Sequence, residues 1–310
     1  MRVLVTGASG LLGRAVLARF KEAGHDVKGT AFSRASGDLV KLDLHDEAAV
    51  ERFLEEFRPE FVVHCAAERR PDAVESDPEA AKKLNVAVPA LLSSLSRSPT
   101  NPFFLLYIST DYVFDGHAPA TGYEPDAETA PTNLYGESKL LGEVETLQGI
   151  EAGGKGCVLR VPVLYGKAES HSESAINTLV DAVRKAAGGQ QVKMDDWATR
   201  YPTNVADVAR VLVDLADKST STTLPSVLHF SAQQEHTKYT IAQLFAALHT
   251  PPLELGDRLV RVSEGPKPGE TVRPRDCHLS NRAIEALGID TTAVDLEAWW
   301  REYLKQEERA

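Results

Sequence analysis

The strongest constraint on the fold lies at the amino end, in Arg2-Val-Leu-Val-Thr-Gly7-Ala-Ser-Gly10-Leu-Leu-Gly13-Arg14. An apolar strand runs into three glycines spaced G-x-x-G-x-x-G, and an amphipathic helix follows. Each glycine has a separate task. Gly7 permits the tight turn off the strand, Gly10 lets the backbone approach a pyrophosphate, and Gly13 lets the helix pack close to the sheet. Ser9, Leu11 and Leu12 stand between them, at the head of the helix, where unpaired N–H groups favour phosphate. The strand-before, helix-after context separates this pattern from an ordinary βα turn. It predicts a dinucleotide-binding site.

At 310 residues the chain fits one large or two coupled domains. The net charge of −11 argues against a nucleic-acid partner and against an anionic membrane surface. No apolar run reaches the roughly 18 residues that a membrane span needs. The first strand begins at Arg2, so no signal peptide is expected, and the location implied is the cytosol. Three separated cysteines, Cys65, Cys157 and Cys277, suit a reducing compartment. Neither CxxC nor a His/Cys cluster at zinc spacing occurs, so no metal site is expected.

Strand and helix alternate through the first half. Strands are expected at 2–6, 27–32, 39–42, 61–65, 103–109 and 156–161, and helices at 11–23, 47–57, 79–95 and 135–148. Runs such as Phe-Val-Val and Phe-Phe-Leu-Leu-Tyr-Ile suit a parallel sheet covered on both faces. The fold class is therefore α/β, a doubly wound Rossmann sheet with a smaller α/β substrate-binding lobe. The nucleotide-binding domain is expected over 1–165, with segments near 203–231 returning to it, and 166–310 forms mainly the substrate-side lobe. In that lobe helices are expected at 174–187, 206–216 and 295–305, and a return strand at 227–231. Thr240-Ile-Ala-Gln243 reads as a capping box opening a helix to His249, and Ser280 as the cap of a helix ending at Gly288.

Dinucleotide folds selective for NAD place an acid at the end of the second strand, bonded to the ribose 2′-OH. Here that stretch reads Gly29-Thr-Ala-Phe-Ser33-Arg34, without an acid. Arg34 can neutralise a 2′-phosphate, so NADP is favoured over NAD. The alternative is a solvated loop cation. Asp43 and Leu44 are placed to meet the adenine, or Asp43 opens the next helix. Cys65, Ala66 and Ala67 supply small side chains where a cofactor would lie close to the backbone.

Tyr135-Gly-Glu-Ser-Lys139 puts a phenol and an ammonium at i and i+4, on one face of a helix. Ser109-Thr110-Asp111 ends a strand at the carboxyl edge of the sheet. These parts suit proton-coupled hydride transfer. Thr110 would hold the substrate oxygen, Tyr135 would move the proton, and Lys139 would favour the phenolate and bind the nicotinamide ribose.

With these motifs the chain resembles the extended short-chain dehydrogenase/reductases over nearly its whole length. Ser109-Thr-Asp-Tyr-Val-Phe-Asp115-Gly116, Pro131-Thr-Asn133-Leu-Tyr135-Gly and Arg273-Pro274 are similar to the dTDP-4-dehydrorhamnose reductases. Several stretches resemble more closely the regulatory β subunits of methionine adenosyltransferase, which bind NADP. They are His64-Cys-Ala-Ala-Glu68-Arg69-Arg70-Pro71-Asp72, Arg160-Val-Pro162-Val-Leu-Tyr165-Gly, Met194-Asp-Asp-Trp197-Ala-Thr-Arg200-Tyr-Pro202-Thr203 and Thr237-Lys238-Tyr239. The resemblance adds Pro162 to the cofactor contacts, and Glu68, Arg69, Asp111, Arg200 and Arg273 to the substrate end. Arg69 and Arg70 could equally pair with nearby acids. Two functions are implied: a regulator of S-adenosylmethionine synthesis whose partner is the methionine adenosyltransferase catalytic subunit, or an NADPH-dependent reductase of a nucleotide-linked 4-keto-6-deoxy sugar. The β subunits dock largely through a basic, aromatic tail, which the stretch from Trp299 to Ala310 does not match. Trp299 and Trp300 have an alternative role in packing the lobe.

Overall fold

The computed structural model describes residues 1–267 and 269–309. The strands are β1 (Arg2–Thr6), β2 (Asp26–Ala31), β3 (Val40–Lys41), β4 (Phe61–His64), β5 (Phe104–Thr110), β6 (Lys155–Val161), β7 (Leu164–Tyr165), β8 (Val192–Asp195), β9 (Thr203–Asn204), β10 (Val227–His229) and β11 (Leu259–Val262). The helices are α1 (Leu11–Glu22), α2 (Glu47–Phe57), α3 (Pro71–Ser76), α4 (Pro78–Lys82), α5 (Val88–Leu95), α6 (Leu134–Glu151), α7 (Thr178–Ala187), α8 (Val205–Ser219), α9 (Lys238–Leu248), α10 (Arg282–Glu285) and α11 (Leu296–Glu307).

Seven strands form one sheet in the order β10-β6-β5-β4-β1-β2-β3, with every pair parallel. The order reverses at β1, whose neighbours are β2 and β4. This is the Rossmann arrangement, and it opens a crevice at the carboxyl ends of β1 and β4. Alternation along β1 explains its unbroken apolar run. Val3 and Val5 join Val16 and Phe20 of α1 and Val208 and Leu212 of α8 on one face. Leu4 joins Val50 and Leu54 of α2 and Val88 and Leu92 of α5 on the other. A strand buried on both faces has no polar side to show.

A separate apolar cluster unites α7, α9 and α11 with β8 and β11. Trp300 is fully buried there, stacked near Tyr165 and Phe245, and Trp299 packs edge-on against Tyr165. Both tryptophans thus have the packing role. β8 and β11 make a two-stranded parallel sheet, and β7 and β9 another. These short pairings and α3 had no counterpart in the periodicity of the sequence.

Three sequence expectations change. The helix expected over 79–95 runs on without a gap as α4 and α5, but with a π-helical turn at Lys83–Ala87 between them. Asn85 in that turn bonds the Glu68 backbone at both its N–H (2.9 Å) and its carbonyl (3.0 Å), and also Ser138 Oγ (3.0 Å). These tertiary bonds compensate the poorer helical geometry. The capping box lies one turn earlier than expected, with Thr237 as the cap and Thr240 answering it. Asn281 stands at the N-cap position of α10 without a side-chain cap bond, Ser280 Oγ accepts the Arg282 N–H at 3.4 Å, and α10 ends at Glu285, short of Gly288. Among the described residues no helix is long and apolar enough to cross a membrane.

Candidate functional site

A cleft of about 860 Å³ runs from the glycine turn to the lobe carrying α7 and α9. Its floor is the turn after β1. The N–H of Gly10 donates to the Gly7 carbonyl (2.9 Å), and Gly7 takes φ +65°. A Cβ on Gly7 would sit 2.8 Å from the Ala66 backbone, and one on Gly13 would sit 2.2 Å from the Gly7 carbonyl oxygen. A Cβ on Gly10 would meet only that same oxygen, at 3.3 Å. So Gly7 and Gly13 are fixed by packing, while Gly10 leaves open the space that a ligand backbone approach needs. No side chain caps α1. Its first-turn amides therefore keep their donors for a ligand such as a pyrophosphate. The residues present fit a dinucleotide.

Ser9, Leu11, Leu12, Cys65, Ala66, Ala67, Pro162 and Arg34 line the same cleft with the glycines. Three of the expected cofactor contacts are not among the residues lining the cleft. Leu44 is buried in the apolar cluster of α2 and α5. Asp43 accepts the His45 N–H at 2.9 Å, and the cap of α2 is Asp46. Ser33 is exposed and lies outside the cleft lining. Arg34 reaches the cleft, but its guanidinium donates to Glu173 at 2.6 Å. Arg14 at the head of α1 binds both oxygens of the same carboxylate, at 3.0 and 2.5 Å.

Thr110, Tyr135 and Lys139 all line the cleft. Asn133 caps α6 by accepting the Gly136 N–H at 2.9 Å, which fixes the first turn carrying Tyr135. Burial raises the Tyr135 phenol above its ordinary range, and the Thr110 hydroxyl opposes that shift. Lys139 is 3% exposed, and its Nζ donates to the Ile108 carbonyl at 2.8 Å and lies 4.0 Å from the Tyr107 ring centre. Burial lowers its pKa to about 7, against the pull of Glu143 and Cys65. Burial thus works against the charged form of the ammonium. His64 beneath it is held neutral by burial, with its pKa lowered to about 3, and shares a 2.7 Å hydrogen bond with Thr6 Oγ1.

The far end of the cleft is cationic. Arg200 is 4% exposed, with Nη1 bonded to the Thr199 and Pro274 carbonyls and Nη2 buried without a partner. Lys238, the first residue of α9, is lowered to about 8 by burial and by the charges of Arg200 and Arg273. Arg273 pairs with Asp72 at 2.8 Å. Asp111 is raised to about 6 by burial, despite Arg200. Arg69 lines the wall and donates to the Ser172 carbonyl at 3.1 Å. Glu68 lies outside the cleft lining and holds Arg70 instead, at 3.0 Å. Sequence reasoning missed Arg14, Glu173 and Lys238. Arg14 was visible next to Gly13, and Lys238 stands at a helix start. Glu173 carries no local signal, since its partners are more than 130 residues away.

The two lysines give a pH prediction. Both folded pKa values lie below the unfolded value, so the unfolded chain binds more protons and stability rises with pH. The clean window is pH 7–8, above the buried histidines and below ionisation of the unfolded thiols. There a single such lysine contributes at most about 1.4 kcal/mol per pH unit. Urea titrations at pH 7 and pH 8 should show this rise, and Lys139→Met should reduce it.

The profile of the family described as RmlD substrate binding domain matches residues 1–306. Methionine adenosyltransferase 2 subunit beta of Xenopus laevis is 41% identical over 289 residues, covering 93% of this chain and 83% of that one. A probable low-salt glycan biosynthesis reductase, Agl14 of Haloferax volcanii, is 32% identical over 226 residues, 72% of this chain and 73% of its own. The crystal structure of a dTDP-4-dehydrorhamnose reductase from Clostridium acetobutylicum superposes with a TM-score of 0.81 at 25% identity, covering 99% of this chain and all of that one.

Proposed function

Because the chain belongs to the RmlD substrate binding domain family, and within it to the group of the methionine adenosyltransferase 2 β subunits, we propose that it is an NADP-binding regulatory subunit acting in S-adenosylmethionine synthesis. The partner is the catalytic subunit of methionine adenosyltransferase. One observation carries the reading: the likeness to the β subunits covers 93% of the chain, so it does not stop at the nucleotide-binding half but extends into the lobe of α7 and α9. The division into a nucleotide-binding part over 1–165, joined by 203–231, and a substrate-side lobe is part of the proposal, as is a cytosolic location.

The dinucleotide would lie along the cleft, with its pyrophosphate on the amides heading α1 and its 2′-phosphate toward Arg34 and Arg14. Small side chains at Cys65, Ala66 and Ala67 leave room for its close approach. When bound, a nicotinamide supplies or accepts hydride. In a reductase role, Thr110 would orient a carbonyl oxygen, Tyr135 would donate the proton, and Lys139 would supply the charge that eases its departure. The cationic far end, with the unpartnered Arg200 Nη2 and Lys238, favours the second reading, a nucleotide-linked keto sugar as substrate.

Analytical ultracentrifugation of the chain with purified catalytic subunit, with and without NADP, tests the first reading. A complex that changes the kinetics of S-adenosylmethionine formation is expected. No association in either condition overturns it. NADPH oxidation on adding a dTDP-4-keto-6-deoxyhexose to the same preparation establishes the second reading.

A further inference from the structure

Glu173 ends a short 3-10 turn, His171–Glu173, whose Ser172 and Glu173 line the cleft. Its side chain is 9% exposed, and both oxygens are engaged. Oε1 accepts from Arg14 Nη1 (3.0 Å) and Arg34 Nη1 (2.6 Å), while Oε2 accepts from Arg14 Nη2 (2.5 Å) and the Glu169 N–H (3.1 Å). Glu169 itself stands on the exposed side, 3.5 Å from Arg14 and 3.9 Å from Arg34. Two guanidiniums converging on one oxyanion form a bidentate anion site. Here that site is formed by the glycine-turn helix and the end of β2, and it is filled by a carboxylate of the chain itself.

We propose that Glu173 is a built-in competitor for the anion that Arg14 and Arg34 would otherwise bind, and so sets the discrimination between dinucleotides with and without a 2′-phosphate. This rests on the reading of the cleft as a dinucleotide site. A 2′-phosphate must take over donors that Glu173 now saturates, so part of its binding energy goes to releasing the carboxylate. A dinucleotide lacking that phosphate leaves the three-residue clasp intact. The release is local. His171 anchors the far side of the turn to Asp181 (2.8 Å) and Glu307 (2.7 Å), and Arg69 holds the Ser172 carbonyl (3.1 Å). Only the Glu173 side chain and its bond to the Glu169 amide need to give way.

The test is calorimetric titration of the full chain and of Glu173→Gln with NADP and with NAD. Losing one charge-assisted competitor corresponds to roughly a tenfold tightening. We expect that gain for NADP, with NAD changed less than about twofold. Equal weakening of both dinucleotides makes Glu173 a strap across the cleft and overturns the proposal, as does an unchanged NADP/NAD ratio. Binding of neither dinucleotide by the unaltered chain removes the underlying reading and this proposal together. Hydrogen exchange over 167–175 in the unaltered chain provides a second readout that does not depend on the variant folding. NADP should speed exchange at the Glu169 amide and NAD should not, and slowing by NADP counts against the idea.

Discussion

Glu143→Ala should destabilise the protein by on the order of 3–5 kcal/mol, the usual cost of leaving a buried charge without its partner. Glu143 lies on α6, with its side chain 1% exposed, and pairs with Arg160 of β6, whose side chain is 5% exposed, at 2.7 Å. Ser109 donates a further hydrogen bond to the carboxylate, at 2.5 Å. The other side of Arg160 is satisfied as well. Nη1 donates to the Pro125 carbonyl (3.1 Å) and faces His229 Nε2 (3.2 Å). His229 Nδ1 lies 3.0 Å from the Tyr123 carbonyl, so Nδ1 carries the hydrogen and Nε2 accepts. Burial, and then the adjacent guanidinium, keep that imidazole neutral, with a pKa lowered to about 3. Truncating Glu143 strands Arg160 in this enclosure, whereas Glu143→Leu with Arg160→Met removes both charges together. The double variant should recover most of the loss, and guanidinium unfolding curves of the three proteins check it. A single variant that costs less than about 1 kcal/mol would mean that water reaches Arg160 in the native state.

That pair also marks where the sequence stopped being readable. β1, β4 and β5 were legible because burial on both faces leaves a continuous apolar run, and the glycine turn because its steric demands act between neighbours in the chain. α6 was legible as a helix, with Tyr135 and Lys139 on one face. Glu143, one turn further on, looks like any solvated helix carboxylate. Its burial comes from Arg160 and Ser109, on strands that only the folded sheet brings beneath it. Glu173 is the same case at the cleft, since its partners come from α1 and the end of β2. The displaced cap of α9 has a different cause. Thr237-Lys-Tyr-Thr240 and Thr240-Ile-Ala-Gln243 overlap as capping patterns. The first is the one formed, with Thr237 Oγ1 also donating to Asp196 at 2.5 Å. At α2 the cap is Asp46 and not Asp43, because the hydroxyl or carboxylate that caps a helix depends on where the chain enters it.

Gly13→Ala should abolish dinucleotide binding and destabilise the fold by roughly 1–3 kcal/mol, as overpacking of backbone against backbone does. The added methyl would lie 2.2 Å from the Gly7 carbonyl oxygen and 2.8 Å from Ala8 Cα. Neither neighbour can step aside. Gly7 is pinned at positive φ with its own Cβ direction blocked by Ala66, and its carbonyl accepts the Gly10 N–H. The head of α1 must therefore move away from the end of β1, taking with it the amides and Arg14. Gly24→Ala separates this effect from a general intolerance of glycine replacement. Gly24 ends the same helix at φ +82°, and a methyl group there would have nothing within 4 Å, so only the conformational penalty of about 1 kcal/mol applies. Thermal unfolding should register a loss in both variants, but NADP titration should separate them: binding intact in Gly24→Ala and absent in Gly13→Ala. Retained binding in Gly13→Ala would mean that the phosphates do not rest on the first turn of α1, and the dinucleotide assignment of this cleft would fall with it.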